Sequence, residues 1–263
     1  MCSIFLAYEE HPDYRLIVAA NRDEFFDRRT AAAGYWEDAP GVLAGRDLRS
    51  GGTWLGLGGN HRFAAVTNYR DPAAPAGRMS RGRLVSDFIA GTDSPERYLD
   101  AISESTAEYS GFNLLVSDSR SLWYFSNRNG AAQELSPGIY GLSNHLLDTP
   151  WPKVVKGKSA LASALSDPEE VRIEQLFALL ANDAQAPDDE LPDTGIGREK
   201  ERALSPIFIQ TPDYGTRSAT VVLDSIDGTT VFCERTFGNT TGQPEERSFL
   251  RAPEAAARAN YFS

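Results

Sequence analysis

Cys2 stands directly behind Met1. Initiator methionine is normally excised when the next residue is small, and cysteine qualifies. Residue 2 would then carry a thiol and a free α-amine together. An α-amine titrates near pH 8, far below a lysine, so it can take up the thiol proton at neutral pH without a histidine. A cysteine that merely opens a buried strand would need neither group, and Cys2 alone leaves both readings open. The second group is Asn21-Arg22-Asp23-Glu24, four polar residues behind the apolar run Tyr14–Ala20. A carboxylate there can hold the ammonium of Cys2, and an arginine or asparagine can fix substrate or carboxylate geometry. The plainer alternative is a solvated turn containing an Arg–Asp pair.

The elements around these residues decide whether they meet. Cys2–Tyr8 is apolar on both faces, as in a strand covered on both sides. Glu9–Asp13 reads as a turn, and Tyr14–Ala20 as the return strand of a hairpin that ends at Asn21–Glu24. The hairpin carries Asp23 back beside Cys2. Further strands are expected at Gly41–Ala44, Thr53–Leu57 and Arg62–Asn68, then at Phe112–Ser117, Leu122–Ser126, Gln133–Leu135 and Ile139–Ser143, and finally at Ile207–Gln210, Ser218–Leu223 and Thr229–Arg235. Helices are expected over Ser80–Ala90, after the Ser94-Pro95 cap, over Trp151–Leu165, and from Asp167-Pro-Glu-Glu170 through Leu180. Residues Asn182–Arg198 read as a long loop, and the tail from Pro253 as a short helix or a frayed end. Strand and helix groups alternate in blocks instead of strict βαβ order, which predicts an α+β layered fold built on antiparallel sheets. No repeat or linker divides the chain, so residues 1–263 are expected to form one domain.

Composition narrows the function. The 26 basic and 37 acidic residues give a net charge of −11, which argues against a general nucleic-acid or anionic-membrane binder, since both need a basic face. No apolar run approaches the roughly 20 residues that span a bilayer. Two cysteines and no visible secretory leader point to the cytoplasm. His11, His61 and His145 lack metal-ligand spacing, so no metal or cofactor is expected. Asn239-Thr-Thr241 fits a glycosylation pattern without meaning in that compartment. Arg46-Asp47 and Gly51-Gly52-Thr53-Trp54 form a distinctive block, whose glycines permit a tight turn or a close backbone approach. Trp54 either lines a pocket or packs.

Met1-Cys-Ser-Ile-Phe5, Ala20-Asn-Arg-Asp-Glu24, Ala44-Gly-Arg-Asp47, Gly51-Gly-Thr-Trp-Leu-Gly56, Phe63–Arg70, Gly141-Leu-Ser-Asn144, Leu191-Pro-Asp-Thr-Gly195 and Leu204–Thr216 together resemble the NRDE family, which includes the transport-and-Golgi-organisation proteins of eukaryotes. That family looks like a branch of the N-terminal-nucleophile hydrolases, similar in pattern to penicillin V acylases, bile salt hydrolases and acid-ceramidase-like amidases. The resemblance implies a four-layer αββα sandwich of two antiparallel sheets flanked by helices. It also implies a site: Cys2 as nucleophile, Asp23 as partner of its amine, Asn68 of Thr67-Asn-Tyr69 and Asn144 of Leu142-Ser-Asn144 as oxyanion donors, and Arg217 of Thr216-Arg-Ser218 closing the site. Asn21, Arg22, Glu24, Arg46, Trp54 and Tyr69 would bind or orient. The relatives carry an arginine where Ala20 stands here, and Arg22 is its nearest substitute.

The implied reaction is acyl transfer from a small amide or ester to the Cys2 sulfur, each oxyanion donor contributing about 3–4 kcal/mol, followed by hydrolysis of the thioester. The competing implication is a non-catalytic binding or trafficking protein for a hydrophobic ligand such as haem or a lipid, since fold does not fix function. The sequence specifies no oligomeric state.

Overall fold

The computed structural model describes residues 2–75, 77–238 and 243–253. Met1, the Asn239 pattern and the tail beyond Pro253 lie outside them.

The chain begins with β1 (Cys2–Tyr8) and β2 (Tyr14–Phe25). Then come β3 (Thr30–Trp36), β4 (Ala39–Asp47), β5 (Leu55–Leu57), β6 (Phe63–Asn68) and the helices α1 (Gly82–Ala90) and α2 (Pro95–Ser103). Four more strands follow, β7 (Phe112–Ser117), β8 (Leu122–Ser126), β9 (Gln133–Glu134) and β10 (Gly138–Leu142), and three helices, α3 (Pro152–Ala164), α4 (Ile173–Leu180) and α5 (Arg198–Ala203). The described chain closes with β11 (Tyr214–Ser225), β12 (Thr230–Thr236) and β13 (Glu245–Arg251). The strands make two antiparallel sheets, one ordered β10-β1-β2-β11-β12-β13, the other running β3 to β9 in chain order.

Alternation along each strand builds the layers. In β1, Ile4, Leu6 and Tyr8 meet Leu43, Leu55, Phe63 and Leu115 of the second sheet, while Phe5 and Ala7 face Leu161 of α3 and Leu176 and Leu180 of α4. On the far side, Leu84, Val85, Phe88 and Ile89 of α1 and Leu99 of α2 cover the second sheet. The result is the αββα stack that the sequence implies. Gly157 lets α3 lie flat on the first sheet, because a Cβ there would sit 2.0 Å from the Phe5 ring. No helix among the described residues is long and apolar enough to cross a membrane.

Several expectations are corrected. β2 does not stop at Asn21 but runs through the polar tetrad to Phe25, because β1 and β11 flank it and give its backbone partners. Residues 207–209 are irregular, with only a bridge from Gln210 to Gly215. Asp167 does not start α4: its Oδ1 accepts from Glu169 N at 3.0 Å in a separate turn, six residues before the helix begins at Ile173. β3, β13 and α5 were not anticipated. Ser94 caps α2 as expected, its hydroxyl accepting from Arg97 N at 3.4 Å.

Candidate active site

The face of the first sheet that carries Ile4, Leu6, Val18 and Ala20 into the inter-sheet core continues past it as Cys2, Arg22 and Glu24. In β11 and β12 the same face continues as Ser218, Glu234 and Thr236. On the second sheet Leu43 gives way to Gly45 and Asp47. The apolar gap between the sheets therefore opens at this end into a polar cavity of about 570 Å³ lined by Cys2, Arg22, Glu24, Gly45, Asp47, Ser218, Glu234 and Thr236, together with Asp23, Thr30, Asn68, Trp54, Arg81 and Arg217. Cys2 is buried, with 7% exposure. Burial pushes its thiol up, Asp23 also raises it, and Arg22 and the Asp23 backbone pull it down.

The register places the acid. Cys2 pairs with Arg22 at the end of the β1–β2 register, and Asp23 is the next residue of β2 beyond that pair. Asp23 is buried, and its Oδ1 accepts from Thr216 Oγ1 at 2.8 Å. Burial raises this carboxyl, and Lys153, Thr216 and Arg22 work against the rise. Thr216 pairs with Asp23 while Ser218 pairs with Arg22, so Arg217 is the extra residue of a β-bulge, a device that re-aims a side chain. Arg217 Nη1 lies 2.9, 3.2 and 3.1 Å from the carbonyls of Phe25, Phe26 and Arg28, and its buried Nε has no hydrogen-bond partner among the described residues. The arginine clamps the turn after β2 at the cavity edge.

The two asparagines are joined to each other. Asn144 Nδ2 donates to Asn68 O at 2.9 Å, and Ser143 Oγ lies 3.3 Å from both Cys2 O and Asn144 Oδ1. Asn68 lines the cavity at the end of β6, whereas Asn144 stands behind it, outside the lining. One of the two Nδ2 hydrogens of Asn144 is thus already committed.

Three residues expected to bind or orient a ligand have other work. Asn21 is fully buried on the helix-facing side of β2, and its Nδ2 donates to Leu180 O (2.8 Å) at the end of α4 and to Ile207 O (3.0 Å). Arg46 alternates away from Gly45 and Asp47. It pairs with Asp38 at 2.6 and 2.7 Å and lies 4.1 Å over the Trp36 ring. Tyr69 shares a 2.8 Å hydrogen bond with His145 Nε2 and does not line the cavity. Arg22, Glu24 and Trp54 do line it, and Trp54 also packs on the core, so both of its readings hold.

Two further basic residues, Arg81 and Lys153, lie near Cys2 without belonging to any of the sequence motifs. Arg81 precedes α1, half-buried in the cavity wall. Burial lowers its guanidinium, and Cys2 and Glu24 raise it. The signal was the run Arg78-Met-Ser-Arg-Gly-Arg83 at a helix start, where acids belong. Lys153 is buried in the first turn of α3, and its Nζ has no hydrogen-bond partner among the described residues. Its signal was its place on the stripe Lys153, Gly157, Leu161, four residues apart and all buried.

Lys153 makes a pH prediction. Burial lowers it from 10.5 to about 8, against the pull of Asp23. The folded protein therefore releases this proton before the unfolded chain does. Between about pH 8 and 10.5 the unfolded state binds more protons, and the contribution of Lys153 to stability rises with pH. Relative to Lys153→Met, the wild type is expected to gain up to about 3 kcal/mol across that window. Urea titrations of both proteins at the two ends check it, and a constant difference would contradict it.

Gly52 holds the cavity wall in place. A Cβ there would lie 2.6 Å from Gly82 C and 2.7 Å from Gly82 O, where Thr53 N donates to Gly82 O at 3.3 Å. Gly52→Ala is expected to displace the start of α1 and to cost about 1–3 kcal/mol, read as a lowered urea midpoint.

A stack of two antiparallel sheets flanked by helices, αββα, is the N-terminal-nucleophile hydrolase fold. A Clostridium perfringens conjugated bile acid hydrolase superposes with a TM-score of 0.51 over 97% of both chains, at 9% sequence identity. Residues 1–239 match the family described as Transport and Golgi organisation 2, and the chain belongs to that family. It is 38% identical to a Transport and Golgi organization protein 2 homolog of Bos taurus, over 89% of this chain and 92% of that one. The Homo sapiens homolog is 37% identical over the same shares.

Proposed function

We propose that this protein is a cysteine amidohydrolase that cleaves a linear amide or ester of a small acylated molecule through a thioester on Cys2. The observation that supports the reading is the pairing of Cys2 with Arg22 next to the buried Asp23, at a cavity shared with Asn68 and Arg217; an amine freed on residue 2 would lie on the Asp23 side of that pair. A free α-amine takes the proton of the Cys2 thiol as the sulfur attacks the substrate carbonyl. Asn68 donates to the oxyanion, and Asn144, behind it, positions Asn68 through its backbone carbonyl. When the tetrahedral intermediate collapses, the C–N bond breaks and the amine returns the proton to the leaving nitrogen. Water then attacks the thioester, and the acid and the thiol leave. Asp23 holds the ammonium form and orients it.

The raised thiol of Cys2 fits this scheme, because the proton is transferred during attack and no standing thiolate is needed. The charged lining of the cavity favours a polar substrate over haem or a lipid as its occupant. Acid-quenching the protein during turnover of activated acyl amides, followed by peptide mass analysis, tests the scheme. The expected result is one acyl group on the peptide beginning at Cys2. Turnover without that adduct under single-turnover conditions would count against it.

A further inference from the structure

The protein carries a net charge of −11, yet the cavity beside Cys2 is lined by six arginines against four acids. Of those arginines, Arg28 alone has a close carboxylate among the described residues, Asp47 at 2.6 Å. Arg22, 6% exposed, has Thr30 Oγ1 at 3.3 Å and its nearest carboxylate, Glu24, at 4.0 Å. Arg81 donates to the Gly111 carbonyl at 3.1 Å, and Arg217 to backbone carbonyls. Neither has a carboxylate within 4 Å among the described residues. Three guanidiniums thus face one cavity with donors in excess of acceptors.

The start of α1 adds to the same charge. Ser80, Arg81 and Gly82 line the cavity. The helix has no side-chain cap and no acid in its first turn, and its N-cap residue is Arg81 itself. A cation at the positive end of a helix dipole is unfavourable unless an anion sits between them. Gly52, packed on Gly82, holds this end where it is. The arrangement favours an anion, and no carboxylate of the described residues lies within 4 Å of Arg81 or Arg217.

We propose that the cavity recognises a carboxylate carried by the substrate a few bonds from the scissile carbonyl, gripped by Arg81 with Arg22 and Arg217 around it. This rests on the reading of Cys2 as the acylated nucleophile. The substrate class is then an acyl amide whose amine portion ends in a carboxylate, the planar partner that a guanidinium fork binds through two hydrogen bonds. Focusing by a cationic cleft in an acidic protein concentrates such a substrate at Cys2 while the rest of the surface repels it.

The test uses the full chain with its processed N-terminus and two amides that differ at one end. Hexanoylglycine ends in a carboxylate, and hexanoylethanolamine ends in a hydroxyl. Hexanoate release is expected to favour the glycine amide by about tenfold or more in kcat/KM, with the ratio falling as salt is raised. Arg81→Ala is expected to bring the ratio close to one, and Arg81→Lys to keep part of it. Equal kcat/KM for the two amides in the wild type overturns the proposal, with no need of a variant. Should neither amide be cleaved, protection of Cys2 from iodoacetamide, read by peptide mapping, separates the two ideas. Protection by hexanoylglycine alone sustains the carboxylate site and counts against the amidase, whereas equal protection by both, or by neither, overturns the carboxylate site.

Discussion

Cys2→Ala is expected to lose amide turnover by about 10³-fold or more, because the residue supplies the nucleophile and removing one member of such a unit costs nearly as much as removing all of it. The variant should fold. Cys2 is a small buried residue at the end of a strand whose neighbours Ile4, Phe5 and Leu6 carry the packing. Cys2→Ser keeps the geometry and the amine but offers a harder nucleophile, so it should retain a trace of activity through an oxygen ester. Comparing steady-state rates and urea midpoints of the three proteins separates lost chemistry from lost structure. An alanine variant with wild-type turnover would remove Cys2 from the mechanism.

Glu201→Ala is expected to destabilise the protein by about 3–5 kcal/mol, the usual cost of leaving one partner of a buried ion pair behind. Glu201 is 2% exposed and accepts from Arg70 Nη1 at 2.6 Å. Its other oxygen accepts from Thr194 N (2.8 Å) and Thr194 Oγ1 (2.6 Å), which explains the Leu191-Pro-Asp-Thr-Gly195 block. The loss also reaches the site, since Arg70 N donates to Asn144 O at 2.7 Å. A fall in the melting temperature of roughly 10 °C, together with reduced turnover at temperatures where the variant is folded, is the expected pair of results. A change in stability within about 0.5 kcal/mol, as for a surface site, would show the pair to be dispensable.

β7 and β8 match their expected bounds because both are apolar runs closed by turn residues. Polar residues read as a strand end, so the sequence predicts β2 to stop at Asn21, whereas the Thr216 hydroxyl and the Leu180 and Ile207 carbonyls that satisfy these side chains come from distant elements. β3, Thr-Ala-Ala-Ala-Gly-Tyr-Trp, is rich in residues with low strand propensity. β13 is a charged, largely exposed edge strand, which carries no alternation to detect. α5 is six residues long and mostly polar.

At the site, local motifs pointed to Cys2, Asp23, Asn68 and Arg217, which share one cavity. They misplaced Arg46 and Asn21 because the strand face on which a residue falls depends on register, and a one-residue shift reverses it. Arg81 and Lys153 come from helices distant in sequence, and only the packing of α1 on Gly52 and of α3 on β1 brings them near Cys2.

The account turns on a sulfur and an unblocked amine sharing residue 2. N-terminal sequencing with intact-mass measurement of active protein, purified from its natural source, tests that most directly. The account predicts a first residue of cysteine with a free amine and a mass short of one methionine. A fully active protein that still carries Met1 would contradict it.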